Sequence, residues 1–209
     1  MVNMSDMIIG WLLGLLSPVI VDAIKNGREV TKTYVAIKSE LNEVAYRMVL
    51  ASYATSTHLG TANHEFLKWV KDSLFLYQGK EHKDNIIKAL EGELLLTPEL
   101  LASFNAASAA KDLQALTLVK FAVSFVDTRV STFHLMPSNV QLQLLSIRAD
   151  VKLIDDLVDQ SRTYFQLTFG KLENGNYSIV VENLRGVYDE YLKRCRIAAD
   201  KIHRLQSVL

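Results

Sequence analysis

The sequence predicts an all-α protein: an elongated helical bundle built on three long heptad-patterned helices, with an apolar helix at the N-terminus. Three features support this fold class: apolar residues recurring at helical spacing, few helix-breaking residues, and a charge-free stretch near the N-terminus. Only three prolines and nine glycines interrupt the 209 residues. Long uninterrupted helices are therefore compatible with most of the chain.

Composition limits the possible functions. Apolar residues make up 49% of the chain, which is more than a disordered protein contains. The 23 basic and 23 acidic residues balance, so we expect no nucleic-acid partner. The single cysteine, Cys195, excludes an internal disulfide framework and fits a reducing compartment.

The first long helix is predicted after Gly27 by a core-facing seam, a row of residues spaced alternately by four and three. Charged residues lie off this seam, and Gly60 offers a stop, so the pattern predicts a helix of roughly 30 residues. The seam consists of Val30, Tyr34, Ile37, Leu41, Val44, Met48, Ala51 and Thr55.

Two further seams predict a second and a third long helix, separated by a turn-prone stretch at 173–176. The short connection predicts that these two helices pack antiparallel to each other. The second seam is Val140, Leu144, Ile147, Val151, Ile154, Val158, Ser161, Phe165 and Thr168, and the third is Leu184, Val187, Tyr191, Cys195, Ala198, Ile202 and Leu205.

The middle of the chain predicts shorter helices that close the core. One covers Thr61–Tyr77, a second is capped by Asp84, and a third begins at Thr97-Pro98 with a cap hydroxyl and a first-turn proline. We expect Leu113–Val130 to form the most buried helix, although its β-branched and aromatic residues are also compatible with a strand.

The N-terminal stretch Met7–Val21 contains fifteen residues without a charge. As a helix it rises about 22 Å against a hydrocarbon core of about 30 Å, so residues 7–24 come close to a minimal span. Gly10 and Gly14 form a pair that favours helix association. We expect these side chains to enter the bilayer: Ile8, Ile9, Trp11, Leu12, Leu13, Leu15, Leu16, Val19 and Ile20.

Basic residues follow this stretch and none precedes it. Lys25, Arg28 and Lys32 therefore predict, by the positive-inside rule, that the body of the protein lies on the cytoplasmic side. The organisation predicted is a membrane-associated helix at 1–26 and a helical-bundle domain at 27–209, the helical body. In the alternative interpretation, the apolar helix is buried in a soluble oligomeric interaction module.

One acidic motif suggests metal chemistry. Asp155, Asp156 and Asp159 form an Asp-Asp-x-x-Asp sequence on a helix, which resembles the magnesium–diphosphate motif of isoprenoid synthases. The resemblance implies that these carboxylates bind Mg²⁺ through oxygen ligands. All three lie off the second seam, so the competing interpretation is a solvated helix face paired with Lys152 and Arg162.

Two other patterns suggest contacts with phosphate. Arg129 and His134 have the Arg-x4-His spacing of a class of small helical nucleases, or else they mark a helix C-terminus. Five basic residues near the end of the chain either complement the helix dipole or contact anionic headgroups; they are Lys193, Arg194, Arg196, Lys201 and Arg204.

The function expected is that of a membrane-associated scaffold, sensor or membrane-acting effector without enzymatic activity, cofactor or metal. Its expected partners are the lipid bilayer and either a second copy of the chain or another protein. A soluble interaction module is the main alternative, and a metal-dependent or nucleolytic helical enzyme is a less favoured one.

Overall fold

The computed structural model describes residues 4–79, 83–109, 116–128, 136–169 and 176–209, with side chains from Lys25 onward except those of Asn26, Phe125 and Val126. All regular secondary structure in these ranges is helical. The helices are α1 (Met4–Leu59), α2 (His64–Leu76), α3 (Lys83–Leu94), α4 (Pro98–Ser108), α5 (Ser124–Thr128), α6 (Ser138–Leu167) and α7 (Asn176–Gln206).

Helix α1 is a single helix of 56 residues whose backbone continues through Pro18 and Gly27. It ends where predicted, because Gly60 adopts a φ of 69°, a left-handed conformation that glycine accepts without strain. A Cβ atom at Gly60 would lie 3.0 Å from Ala109 Cβ and 3.1 Å from the Asn105 carbonyl oxygen. The turn therefore needs glycine both for its backbone angle and for the close approach of α4.

The predicted second and third long helices are confirmed as α6 and α7, of 30 and 31 residues. The third seam is buried along its whole length, and the second is buried from Val140 to Ser161 and half-buried at Phe165 and Thr168. Lys201 Nζ lies 2.6 Å from Asp150 Oδ2 and 3.0 Å from Ser146 Oγ, which places the last turns of α7 beside the first half of α6. The predicted antiparallel packing is thus confirmed.

Helix α7 also packs against α1, again antiparallel. Gln206 donates to the Lys38 carbonyl oxygen at 3.3 Å, and the rings of Tyr188 and His58 lie 6.2 Å apart at the other end of the contact. Residues of α1, α6 and α7 therefore share one hydrophobic core. In α1, this core begins with the buried residues Thr33 and Ile37.

The shorter helices lie close to their predicted positions: α2 begins at His64, three residues after the predicted Thr61, and α4 begins at Pro98 as predicted. Asn63 and Thr97 cap α2 and α4 by accepting backbone N–H bonds from Phe66 and Leu100. Asp84 lies in the first turn of α3, which begins one residue earlier than the predicted cap. The end of α2 is held to α1 where Tyr77 stacks on Tyr46, with ring centroids 4.0 Å apart.

The predicted buried helix at Leu113–Val130 is wrong. Residues 116–123, called the extended segment below, form neither a helix nor a strand, and only Ser124–Thr128 is helical in the described part of this region. Leu118, Phe121 and Val123 are buried while the residues between them are exposed. Threonine and valine favour extended backbone, and the side chains of α6 and α7 supply partners for backbone groups that a helix would have paired internally.

Candidate functional site

The predicted bilayer-contacting stretch lies in the first part of α1. The backbone of α1 is helical from Met4 onward. The structure does not describe the side chains of the nine predicted insertion residues or the surroundings of Gly10 and Gly14. Among the residues that the structure describes, we find no helix that combines the length and apolarity needed to cross a bilayer.

The basic flank of this stretch is accessible to solvent. Lys25, Arg28 and Lys32 are all exposed, each on the same continuous helix as the apolar stretch. Among the described side chains, no carboxylate lies within ion-pair distance of these three cations. Three positive charges are therefore available to an external anion at this position.

The basic residues near the end of α7 are in the opposite situation. Arg194 lies 2.6 Å and Lys193 4.0 Å from Glu190, and Lys201 lies 2.6 Å from Asp150. Arg196 reaches Glu65 of α2 at 3.1 Å, with its guanidinium 5.4 Å from the Trp69 ring centroid. Four of the five predicted cations are thus held by carboxylates of the protein itself, and Arg204 is the exposed fifth.

The acidic motif on α6 contacts the extended segment. Asp155 Oδ1 accepts the Phe121 backbone N–H at 3.0 Å, and Asp159 pairs with Lys120 at 2.6 Å. Arg162, a predicted partner, lies 3.5 Å from Asp159. Burial raises the pKa of Asp155, and the Phe121 N–H and Lys120 partly oppose this by favouring the ionised form.

This arrangement gives two of the three aspartates, Asp155 and Asp159, a structural role. Asp155 is half-buried and Asp156 and Asp159 are exposed, so they project sideways and outward as predicted. No group of three His, Cys, Asp or Glu side chains in the described ranges is arranged to hold a metal ion. In this structure, Asp155 and Asp159 fasten the extended segment to α6.

Two tyrosines of α7 fasten the same segment from the other side. Tyr188 donates to the Leu116 carbonyl oxygen at 3.1 Å, and Tyr191 donates to the Val119 carbonyl oxygen at 2.9 Å. Burial raises the pKa of both hydroxyls, so they act as neutral donors. Tyr188 lies outside the predicted seam, although its spacing of three from Tyr191 places both on one helix face.

A groove of about 510 Å³ remains between the extended segment and α6. Its apolar lining includes Phe121, Val123 and Leu145. Arg148 and Asp127, on opposite sides of the groove, pair with each other at 2.5 Å. Three of the four charged residues that line the groove, Asp127, Arg148 and Asp155, are therefore satisfied within the protein, and the fourth, Lys152, is exposed.

Cys195 is fully buried, as its position on the third seam predicts. Burial raises its pKa to about 12, although contacts with Tyr191 and Ser52 favour the thiolate. A thiol in this environment is protonated at neutral pH and has little nucleophilic character. Arg129 and His134, the other candidates for catalysis, lie outside the described residues.

Comparison with known proteins yields no relative: no protein-family model, no curated protein and no solved structure matches the chain.

Proposed function

We propose that this chain is a membrane-associated helical protein without enzymatic activity, in which residues 7–24 enter a bilayer and the helical body lies on the cytoplasmic side. The observation that carries the proposal is the charge-free stretch Met7–Val21, followed on the same helix by the exposed cations Lys25, Arg28 and Lys32. Transfer of apolar side chains from water into the bilayer lowers the free energy, and basic residues beside them are attracted to the anionic cytoplasmic leaflet.

The second part of the proposal concerns the body, in which α1, α6 and α7 form an elongated bundle that carries the N-terminal helix. Because α1 continues without a break from Met4 to Leu59, a change in tilt or rotation of its first residues would reach the core-facing seam. This continuity suits a sensor, a scaffold or an effector that acts on the membrane. Association of copies in the bilayer through Gly10 and Gly14 belongs to the same proposal.

Flotation of the full-length protein with phospholipid vesicles tests the proposal. The variant Leu13→Asp/Leu16→Asp places two carboxylates in the apolar stretch, each of which costs about 2.5 to 3.5 kcal/mol at the centre of a membrane helix. We expect the wild-type protein to float with vesicles and this variant to stay in the soluble fraction. Circular dichroism should show that both remain folded.

The matched control is Leu142→Asp/Leu145→Asp, which adds the same charges to α6 at leucines that are 68% and 47% exposed. We expect this control to float like the wild-type protein. A wild-type protein that stays unbound as a monomer would contradict the proposal. A protein that oligomerises without lipid, and dissociates in the Leu13→Asp/Leu16→Asp variant, would instead support the soluble interaction module.

A further inference from the structure

The cations that follow the apolar stretch lie on one face of α1. Lys25, Arg28 and Lys32 are separated by three and four residues, so at about 100° per residue they fall within about 60° of one another. The seam residues Val30, Tyr34 and Ile37 are centred roughly half a turn away on the same helix. The cationic face therefore points away from the side of α1 that packs into the core.

Burial agrees with this geometry. Lys25, Arg28 and Lys32 are exposed, whereas Val30 and Tyr34 are half-buried and Ile37 is fully buried. Glu29, also exposed, is the acidic residue of this stretch, so residues 25–32 carry a net charge of two positive units (three basic minus one acidic). The face is thus cationic and solvent-accessible.

The position of this face along the helix matches the depth of lipid headgroups. Lys25 comes directly after the stretch 7–24, and Lys32 lies about 10 Å further along the helix axis. The polar region on each side of a bilayer has a similar thickness of about 5 to 8 Å. Long lysine and arginine side chains can also extend toward phosphate groups while their stems stay near apolar surface.

We propose that Lys25, Arg28 and Lys32 form a binding face for anionic phospholipid headgroups, which makes membrane binding selective for negatively charged bilayers. This inference rests on the proposed membrane association and adds the class of lipid. Charge complementarity supports it, because these cations have no carboxylate partner among the described side chains. By contrast, four of the five basic residues near the end of α7 are paired within the protein.

The experiment compares the affinity of the full-length chain for vesicles of phosphatidylcholine alone and for vesicles containing phosphatidylserine. The triple variant Lys25→Gln/Arg28→Gln/Lys32→Gln should bind the anionic vesicles about 100-fold more weakly than the wild-type protein does. Each basic residue near such a surface contributes about fivefold in affinity. The affinity of the triple variant for the phosphatidylcholine vesicles should stay within about twofold of the wild-type value, because no surface charge is present to attract basic residues.

The matched control, Lys193→Gln/Arg194→Gln/Arg204→Gln, removes three positive charges from α7. We expect its affinity for anionic vesicles to stay within about fivefold of the wild-type value, because Lys193 and Arg194 are paired with Glu190 and α7 ends beside Lys38. Lys38 lies about 20 Å along α1 from Lys25, which is more than two Debye lengths at physiological ionic strength. Equal wild-type affinity for both vesicle types would overturn the inference while leaving membrane association standing. Undiminished binding by the α1 variant, or an equal loss in the α7 control, would also overturn it. Failure of the wild-type protein to bind either vesicle would reject the proposed function and the inference together.

Discussion

The two basic clusters of this protein contain the same residue types in opposite situations. On α7, Lys193, Arg194, Arg196 and Lys201 are each within ion-pair distance of a carboxylate, and two of these partners belong to other helices. On α1, the cations at 25, 28 and 32 are exposed and have no such partner in the described part of the chain. The number of charges in a stretch of sequence therefore does not say whether those charges are available to a ligand.

The physical origin of the difference is the neighbourhood that folding creates. Helix α7 packs against α1 and α6 and contacts α2 through side chains, so carboxylates from distant parts of the chain reach two of its basic residues. Residues 25–32 of α1 precede the point at which the helix enters the core, near Thr33. We expect loss of an α7 cation to affect the stability of the fold, and loss of an α1 cation to affect binding instead.

Of the variants that compare the two clusters, Lys201→Ala should lower the free energy of unfolding the most. The side chain of its partner Asp150 is only 10% exposed, so removal of the lysine leaves a buried carboxylate without its cation. We expect a loss of about 2 to 3 kcal/mol in the free energy of unfolding, below the range for a fully buried pair because Lys201 is itself 31% exposed. Urea denaturation measures this loss.

Lys32→Ala is the matched control and should change the free energy of unfolding by less than about 0.5 kcal/mol. The double variant Asp150→Ala/Lys201→Ala should be less destabilised than the sum of its two single variants, because neither charge is then left without a partner. Equal effects of Lys201→Ala and Lys32→Ala would remove the distinction between the clusters.

A smaller effect is expected for Asp155, an acidic residue whose partner, like that of Lys201, comes from another part of the fold. Asp155→Ala leaves the Phe121 N–H without its acceptor, which should lower the free energy of unfolding by about 1 to 2 kcal/mol. Asp155→Asn retains an oxygen that can accept this bond and avoids burying a charge. We expect its stability at pH 7 to equal or exceed that of the wild-type protein.

The difference in stability between the wild-type protein and Asp155→Asn should depend on pH, because folding raises the pKa of Asp155. A carboxyl group whose pKa is raised by folding contributes most favourably when protonated, and this contribution is lost as pH rises through its folded pKa. The advantage of Asp155→Asn over the wild-type protein should therefore grow as the pH rises from about 4, the ordinary aspartate value, toward 7. Denaturation curves at several pH values would show it, and an advantage that shrinks with pH would contradict this account.

The smallest expected effect concerns Arg196. Its partner Glu65 is 80% exposed, so the ion pair itself contributes little, and the cation–π contact with Trp69 should dominate. We expect Arg196→Ala to cost about 0.5 to 1 kcal/mol, and Arg28→Ala to have no measurable effect on stability. Glu65→Ala removes the ion pair and leaves the cation–π contact in place, so a loss of stability in that variant equal to the loss in Arg196→Ala would assign the effect to the ion pair.

The helical seams could be predicted because their pattern is local. Residues such as Leu144, Val158, Leu184 and Ile202 are apolar at the spacing that one side of a helix requires, and all four are buried. The end of α1 at Gly60 was predictable for the same reason, since a left-handed residue at a helix terminus favours glycine. The apolar stretch Met7–Val21 can likewise be identified from the sequence alone, and its contact with a bilayer stays a prediction.

The extended segment could not be predicted in this way. Residues 116–123 contain the apolar residues of a buried helix, yet their conformation depends on hydrogen bonds with Tyr188, Tyr191 and Asp155. The two tyrosines are each 72 residues, and Asp155 is 34 residues, from the backbone groups that they bind. The Asp-Asp-x-x-Asp motif posed the same difficulty. Its spacing suggests a metal, while Asp155 binds Phe121 and Asp159 binds Lys120, both in a segment whose position no local pattern specifies. Arg162, the predicted local partner of Asp159, adds a longer contact of 3.5 Å.

The sequence by itself determined the helical class, the long helices α6 and α7 and the core-facing seam of α1, because helix periodicity and capping act within a few residues. Tertiary structure decided which charges are neutralised and which stay available, because an ion pair depends on the distance between side chains that folding alone brings together. For this reason the α7 cations contribute to holding the body together, while Lys25, Arg28 and Lys32 stay exposed beside the apolar stretch.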